Sequence, residues 1–66
     1  MAIVKVIEVI ATSGKGWEDA AKNGIKEAGK TVKNIKSAWV SDQKLIIKNN
    51  EITEYRVILK VSFEID

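Results

Sequence analysis

Tyr55-Arg56-Val57-Ile58-Leu59-Lys60-Val61-Ser62-Phe63-Glu64-Ile65 decides the fold. Tyr55, Val57, Leu59, Val61, Phe63 and Ile65 are apolar, and Arg56, Ile58, Lys60, Ser62 and Glu64 stand between them. Successive side chains of a strand point to opposite faces, so this alternation puts one face on a core. It predicts a strand from Ile52 to Ile65, long enough to be the central strand of a sheet. Just before it, Asn49-Asn50 reads as a hairpin turn, because Asn tolerates positive φ. Ile35 to Lys48 reads as the preceding strand.

A two-residue turn sets the register of the hairpin. With Lys48 opposite Glu51, Val40 faces Leu59, Ala38 faces Val61 and Asp42 faces Val57 on one side. On the other, Gln43 faces Arg56, Ser41 faces Ile58, Trp39 faces Lys60 and Ser37 faces Ser62. Upstream, Trp17, Ala20, Ala21, Ile25, Ala28 and Val32 have the spacing of an amphipathic helix over Trp17 to Val32. With Gly24 they fill an arc of roughly 140°. Gly24 costs about 1 kcal/mol against Ala in a helix, and its place on the apolar arc suggests that a strand passes close by. Glu18 and Asp19 open the helix and lysines follow, as the macrodipole favours. Ile3 to Ile10 is rich in β-branched residues and reads as a first strand. Ala11-Thr12-Ser13-Gly14-Lys15-Gly16 reads as the turn between them.

The order is β-α-β-β, an α+β domain over residues 1–66. A helical crossover makes the first two strands parallel, so the third lies between them, antiparallel to both. One helix covers one face of the three-stranded sheet. The other face keeps Trp39, Ile58 and aliphatic residues of the first strand, an apolar patch that marks an interface.

Composition supports the same reading. A 66-residue chain buries only about 60% of its unfolded surface and is marginal alone. Small domains use disulfides, a structural metal or partner subunits. This chain has no Cys and no His, which removes disulfides and Cys/His zinc sites. Self-association is the remaining support. Catalysis by a nucleophile–base pair finds no His or Cys to carry it. The apolar run from Ala2 to Ala11 is interrupted by Lys5 and Glu8 and is too short for a membrane span; a cytoplasmic location is expected. With 11 basic and 9 acidic residues, the net charge draws the chain to neither nucleic acid nor membrane.

Several side chains remain as candidates. Thr12-Ser13-Gly14-Lys15-Gly16 lacks the Walker spacing and reads as a strand-to-helix turn. Lys22, Lys26, Lys30 and Lys33 read as a solvated helix face, since no aromatic residue interleaves with them. Glu8, Asp42 and Glu64 are carboxylates suited to a hard cation if several copies of the chain meet. Trp39 reads first as an anchor between subunits, and second as a stacking platform for a planar ligand. Trp17 reads as core.

Val6-Ile7-Glu8-Val9-Ile10-Ala11-Thr12-Ser13, Trp17-Glu18-Asp19-Ala20-Ala21, Lys30-Thr31-Val32-Lys33-Asn34-Ile35 and Tyr55-Arg56-Val57-Ile58-Leu59-Lys60-Val61-Ser62-Phe63 together resemble the dodecins, in order and over almost the whole chain. The resemblance implies a hollow homo-dodecamer of 23 symmetry that binds and stores a small ligand without turnover. The implied cargo is flavin (riboflavin or FMN), stacked between Trp side chains at subunit interfaces; some members bind coenzyme A. The implied pocket positions are Ser37, Asp42, Gln43 and Arg56, with Trp39 nearby. Asp42 and Gln43 match the Asp-Gln of flavin-binding members. Ser37 stands where the stacking Trp is found, and Arg56 where a Gln contacts the ring. Tyr55-Arg56 without that Trp resembles a subgroup that includes calcium-binding dodecins.

Overall fold

A computed structural model describes residues 3–65. Met1, Ala2 (the start of the apolar run above) and Asp66 lie outside the described residues. The elements are β1 (Ile3–Ser13), α1 (Trp17–Ala28), β2 (Ile35–Lys48) and β3 (Glu51–Ile65). The strands lie in the order β1-β3-β2, with β3 antiparallel to both neighbours. No helix among the described residues is long and apolar enough to cross a membrane.

Val57, Leu59 and Val61 of β3 are buried with Ala20 of α1, and Ile7, Val9, Trp17 and Ile25 pack around them. These residues define the covered face. Gly24 is where helix and sheet come closest. A Cβ there would lie 2.8 Å from Leu59 Cδ1 and 3.1 Å from Ala11 Cβ. The helix packs on β1 and β3 but not on β2, so β2 is exposed along nearly its whole length.

Two element ends differ from the sequence reading. β1 runs on to Ser13, because Ala11, Thr12 and Ser13 pair with Val57, Arg56 and Tyr55. Strand pairing there overrides the small polar composition, and the turn shrinks to Gly14-Lys15-Gly16. The helix ends at Ala28 instead of Val32. The Gly29 N–H bonds Ile25 O at 2.9 Å, and the next residues close with turn bonds, Lys30 to Glu27 and Thr31 to Ala28. Asn34, with φ of 62°, then turns the chain into β2. At the hairpin, Asn49 and Asn50 have φ of 53° and 63°, as a two-residue turn of the I′ kind requires.

The hairpin register is also corrected. Lys48 opposite Glu51 and Ile47 opposite Ile52 are as read, and so are Val40–Leu59, Trp39–Lys60, Ala38–Val61 and Ser37–Ser62. Between them the ladder slips by one residue and returns. Thr53 is the extra residue on β3 and Ser41 on β2. Each uses its hydroxyl to bond across the strands, Thr53 Oγ1 to Ile46 O at 3.1 Å and Ser41 Oγ to Ile58 O at 3.2 Å. Within the slipped stretch Asp42 therefore faces Ile58 and not Val57, and Gln43 faces Val57 and not Arg56. Ser41, expected opposite Ile58, is bulged out of the pairing. A one-residue slip moves a side chain to the other face.

Candidate functional site

The open face, opposite α1, can be laid out in rows because β1 pairs with β3 without irregularity. Thr12, Arg56 and Lys44 form one row, and Ile10, Ile58 and Asp42 the next. Glu8, Lys60 and Trp39 follow, then Val6, Ser62 and Ser37, with Val4 opposite Glu64 beyond. Val4, Val6 and Ile10 are exposed, and Trp39 is 50% exposed. The face is thus an apolar field with a half-exposed indole, crossed by single charged groups.

Of the five candidate ligand residues, the register brings Ser37, Trp39, Asp42 and Arg56 to this face. Gln43 is on the other, opposite Val57. The Ser41 bulge separates the Asp42-Gln43 pair from the arrangement expected of it. Ser37 and Ser62 Oγ atoms are 2.6 Å apart, and Ser62 Oγ donates to Ser37 O at 3.2 Å. The position where the resemblance implies a stacking ring holds a closed pair of hydroxyls. Arg56 is partly buried between Thr12 and Lys44, and its Nε is buried with no hydrogen-bond partner. Ser62 and Arg56 are six residues apart on β3, about 20 Å at ~3.4 Å per residue. Within one protomer, Ser37 and Arg56 therefore line different ends of the face.

Ser62 and Lys44 share rows of this face with Ser37 and Arg56, and the sequence reading does not single them out. The serine pairing was legible in the register. Lys44 was hidden by the bulge, which brings it opposite Arg56 in place of Gln43.

Glu8, Asp42 and Glu64 all project from the open face, but in different rows. A hard cation takes about six to eight oxygens. No three His, Cys, Asp or Glu side chains among the described residues are grouped to hold one. These carboxylates suit a cation only where several copies of the chain meet.

The remaining motifs have structural employment. Ser13 Oγ donates to Asp19 Oδ2 at 2.6 Å and accepts from the Lys15 N–H at 2.9 Å. This clasps the strand-to-helix turn. The bond from Ser13 holds the Asp19 carboxyl below its ordinary value against a smaller opposing effect of desolvation, with help from Lys15, Asn23 and Lys22. On the outer helix face Lys22 pairs with Glu18 and Lys30 with Glu27, as on a solvated face. Trp17 is partly buried against the core and meets Tyr55 edge-to-face, centroids 5.2 Å apart at 79°.

Comparison with known proteins completes the description. The family model described as Dodecin matches residues 3–66. The calcium dodecin of Mycobacterium tuberculosis is 36% identical over 64 residues, spanning 97% of this chain and 90% of that protein. Its crystal structure, described as that of a calcium-chelating antigen with a novel calcium-binding site, has a TM-score of 0.85 at 34% identity, covering 97% of this chain and 91% of that one. A dodecin from Streptomyces davaonensis has a TM-score of 0.94 at 28% identity, covering 98% of this chain and 96% of that one. The backbone follows the Streptomyces chain more closely, while the side chains are more like those of the Mycobacterium protein.

Proposed function

The chain belongs to the dodecin family, and from that membership we propose that it is a binding and storage particle, a homo-dodecamer without catalytic turnover, whose cargo is a hard cation and not a flavin. The observation that carries this reading is the Ser37–Ser62 hydroxyl pair. It occupies the row where the resemblance puts the stacking ring, and a hydroxyl has no π face to offer an isoalloxazine. Two further features agree. Gln43 is turned to the covered side by the bulge at Ser41. Arg56 offers donors only, where an amide both donates and accepts. The residues present do not fit a flavin held in the family's manner.

The cation is favoured by Glu8, Asp42 and Glu64, which leave one face of each subunit as separate carboxylates. The identity to a relative named for calcium points the same way. Assembly is what would gather oxygens from several copies, so binding and oligomerisation are one property here. A second reading, a flavin or another planar ligand such as the adenine of coenzyme A stacked on Trp39, is favoured by the half exposure of that ring on the same face.

Titration of the assembled, chelator-stripped protein separates the two. Calcium should give a saturable heat in calorimetry, and riboflavin should keep its fluorescence. Riboflavin quenching at submicromolar protein with no calcium heat overturns the cation reading and transfers the site to Trp39.

A further inference from the structure

Asn23-Gly24 is the one Asn-Gly step in the chain, and it lies in the middle of α1. Asn23 is exposed and Gly24 is buried. Packing holds the glycine there, since a Cβ on it would meet Leu59 Cδ1 at 2.8 Å and Ala11 Cβ at 3.1 Å. The same bare α-carbon leaves the Gly24 nitrogen unshielded next to the Asn23 amide. Asn34, Asn49 and Asn50 are followed by Ile35, Asn50 and Glu51, whose side chains crowd the corresponding nitrogen.

In the closed helix the two groups are held apart. The Gly24 N–H points along the axis to the carbonyl four residues back. The Asn23 amide is drawn the same way, its Nδ2 donating to Asp19 Oδ2 at 3.3 Å. Reaction between them needs the middle turn to open. α1 favours such opening, because it has 12 residues, starts at Gly16 without a side-chain cap and packs on β1 and β3 only. Helices of this length are marginal on their own, and segments with few buried contacts open ahead of the whole fold.

We propose that Asn23–Gly24 is a site of spontaneous covalent modification, gated by opening of α1, and that its product loosens the helix from the sheet. Gly24 N gives up its proton to solvent and bonds Asn23 Cγ, while the Cγ–Nδ2 bond breaks and ammonia leaves. Water then opens the cyclic imide at one of its two carbonyls, giving Asp or isoaspartate at position 23. In sum, an amide and water become a carboxylate and ammonia, with no oxidant or cofactor. Asp19, Asn23 and Glu27 are spaced four residues apart in one row of α1, with the neutral amide in the middle. A carboxylate at position 23 makes three like charges in that row, which is destabilising. It also removes the donor to Asp19 beside the Ser13 clasp. Isoaspartate in addition carries the main chain through its Cβ. That adds an atom directly before Gly24, the residue closest to Leu59 and Ala11.

The test incubates the purified protein in warm, mildly alkaline buffer, with and without urea below the unfolding transition. Cleavage at glutamate frees the segment between Glu18 and Glu27, and isoaspartyl methyltransferase labelling with mass spectrometry reads position 23. Isoaspartate should accumulate there ahead of Asn34, Asn49 and Asn50, and faster in urea. Leu59→Ala should accelerate it at least about tenfold, the factor that ~1.4 kcal/mol of lost stability sets. Asn23→Gln, which has to close a larger ring, should remove the signal. Asn23→Asp, the simpler product, should lower the thermal midpoint. Asn23 left intact in urea, or intact when another asparagine has converted, overturns the proposal. So does a rate at position 23 that is the same with and without urea. An Asn23→Asp midpoint equal to that of the unmodified protein overturns the loosening of the helix.

Discussion

Ser37 and Ser62 face each other across β2 and β3 with their hydroxyl oxygens 2.6 Å apart. The pair fills a row of the open face that an aromatic ring would need. Ser37→Trp gives up these hydrogen bonds and supplies a π surface worth about 0.5–1.5 kcal/mol per stacked pair beyond area burial. Riboflavin affinity should rise by up to about tenfold per stacked pair, the equivalent of ~1.4 kcal/mol, read by fluorescence quenching. Arg56→Gln alone should change it little, since Arg56 and Ser37 lie at different ends of the face in one protomer. Equal affinity in the unmodified chain and Ser37→Trp would mean that this row is not where a ring binds.

Gly24 is a contact residue of the core. Its α-carbon faces Leu59 and Ala11 so closely that an added methyl meets Leu59 Cδ1 at 2.8 Å. Leu59 is 2% exposed, so moving its Cδ1 aside disturbs the packing of the core. Overpacking costs about 1–3 kcal/mol, against a helix-propensity gain of about 1 kcal/mol. Gly24→Ala should therefore lower stability in urea denaturation. Leu59→Ala alone should cost about 2–5 kcal/mol, and in that background Gly24→Ala should become neutral or favourable. Additive losses in the double variant would show that the two residues do not share the space.

The close approach at Gly24 and the central place of β3 were both readable from pattern. Val57, Leu59 and Val61 alternate without interruption, and a helical glycine on an apolar arc has few other uses. The hairpin register was readable only near the turn and again from Val40 to Ser37, with a further shift before Ile35. Ser41 and Thr53 look like ordinary strand residues, and the bulges they form are accompanied by hydroxyl bonds to Ile58 and Ile46 on the other strand. No periodicity reports such a bond. This is why Ser37, Trp39 and Arg56 were placed on the right face while Asp42 and Gln43 were exchanged. The helix end was overrun because Val32 continues the apolar spacing after Gly29 has already stopped the helix.

Asp19 links the helix start to the end of β1 through Ser13. Its folded-state pKa lies below the ordinary 3.8. The unfolded state therefore binds the proton first as pH falls. The stabilisation is complete above the ordinary value and is lost as pH drops through the lower, folded one. Asp19→Asn should remove part of the acid-side slope of stability below about pH 4 while leaving its shape near neutrality unchanged. An identical acid limb in both proteins would show that the clasp carries no linkage.

Trp39 stands in a row with Lys60 and Glu8 on the face that the helix leaves bare. As an interface anchor, it should cost about 2 kcal/mol or more of association on truncation. Trp39→Ala should dissociate on dilution at concentrations where the unmodified particle persists. The fold of the subunit should remain, because α1 does not pack on β2. An intact particle that has lost ligand binding would instead make Trp39 a stacking residue.

Assembly joins these observations, from the bare apolar face to the carboxylates that one subunit cannot gather. Light scattering coupled to size exclusion, at micromolar chain concentration, tests it most directly. A single species of twelve times the chain mass is the predicted result. A stable, well-folded species of one or two chains would contradict it.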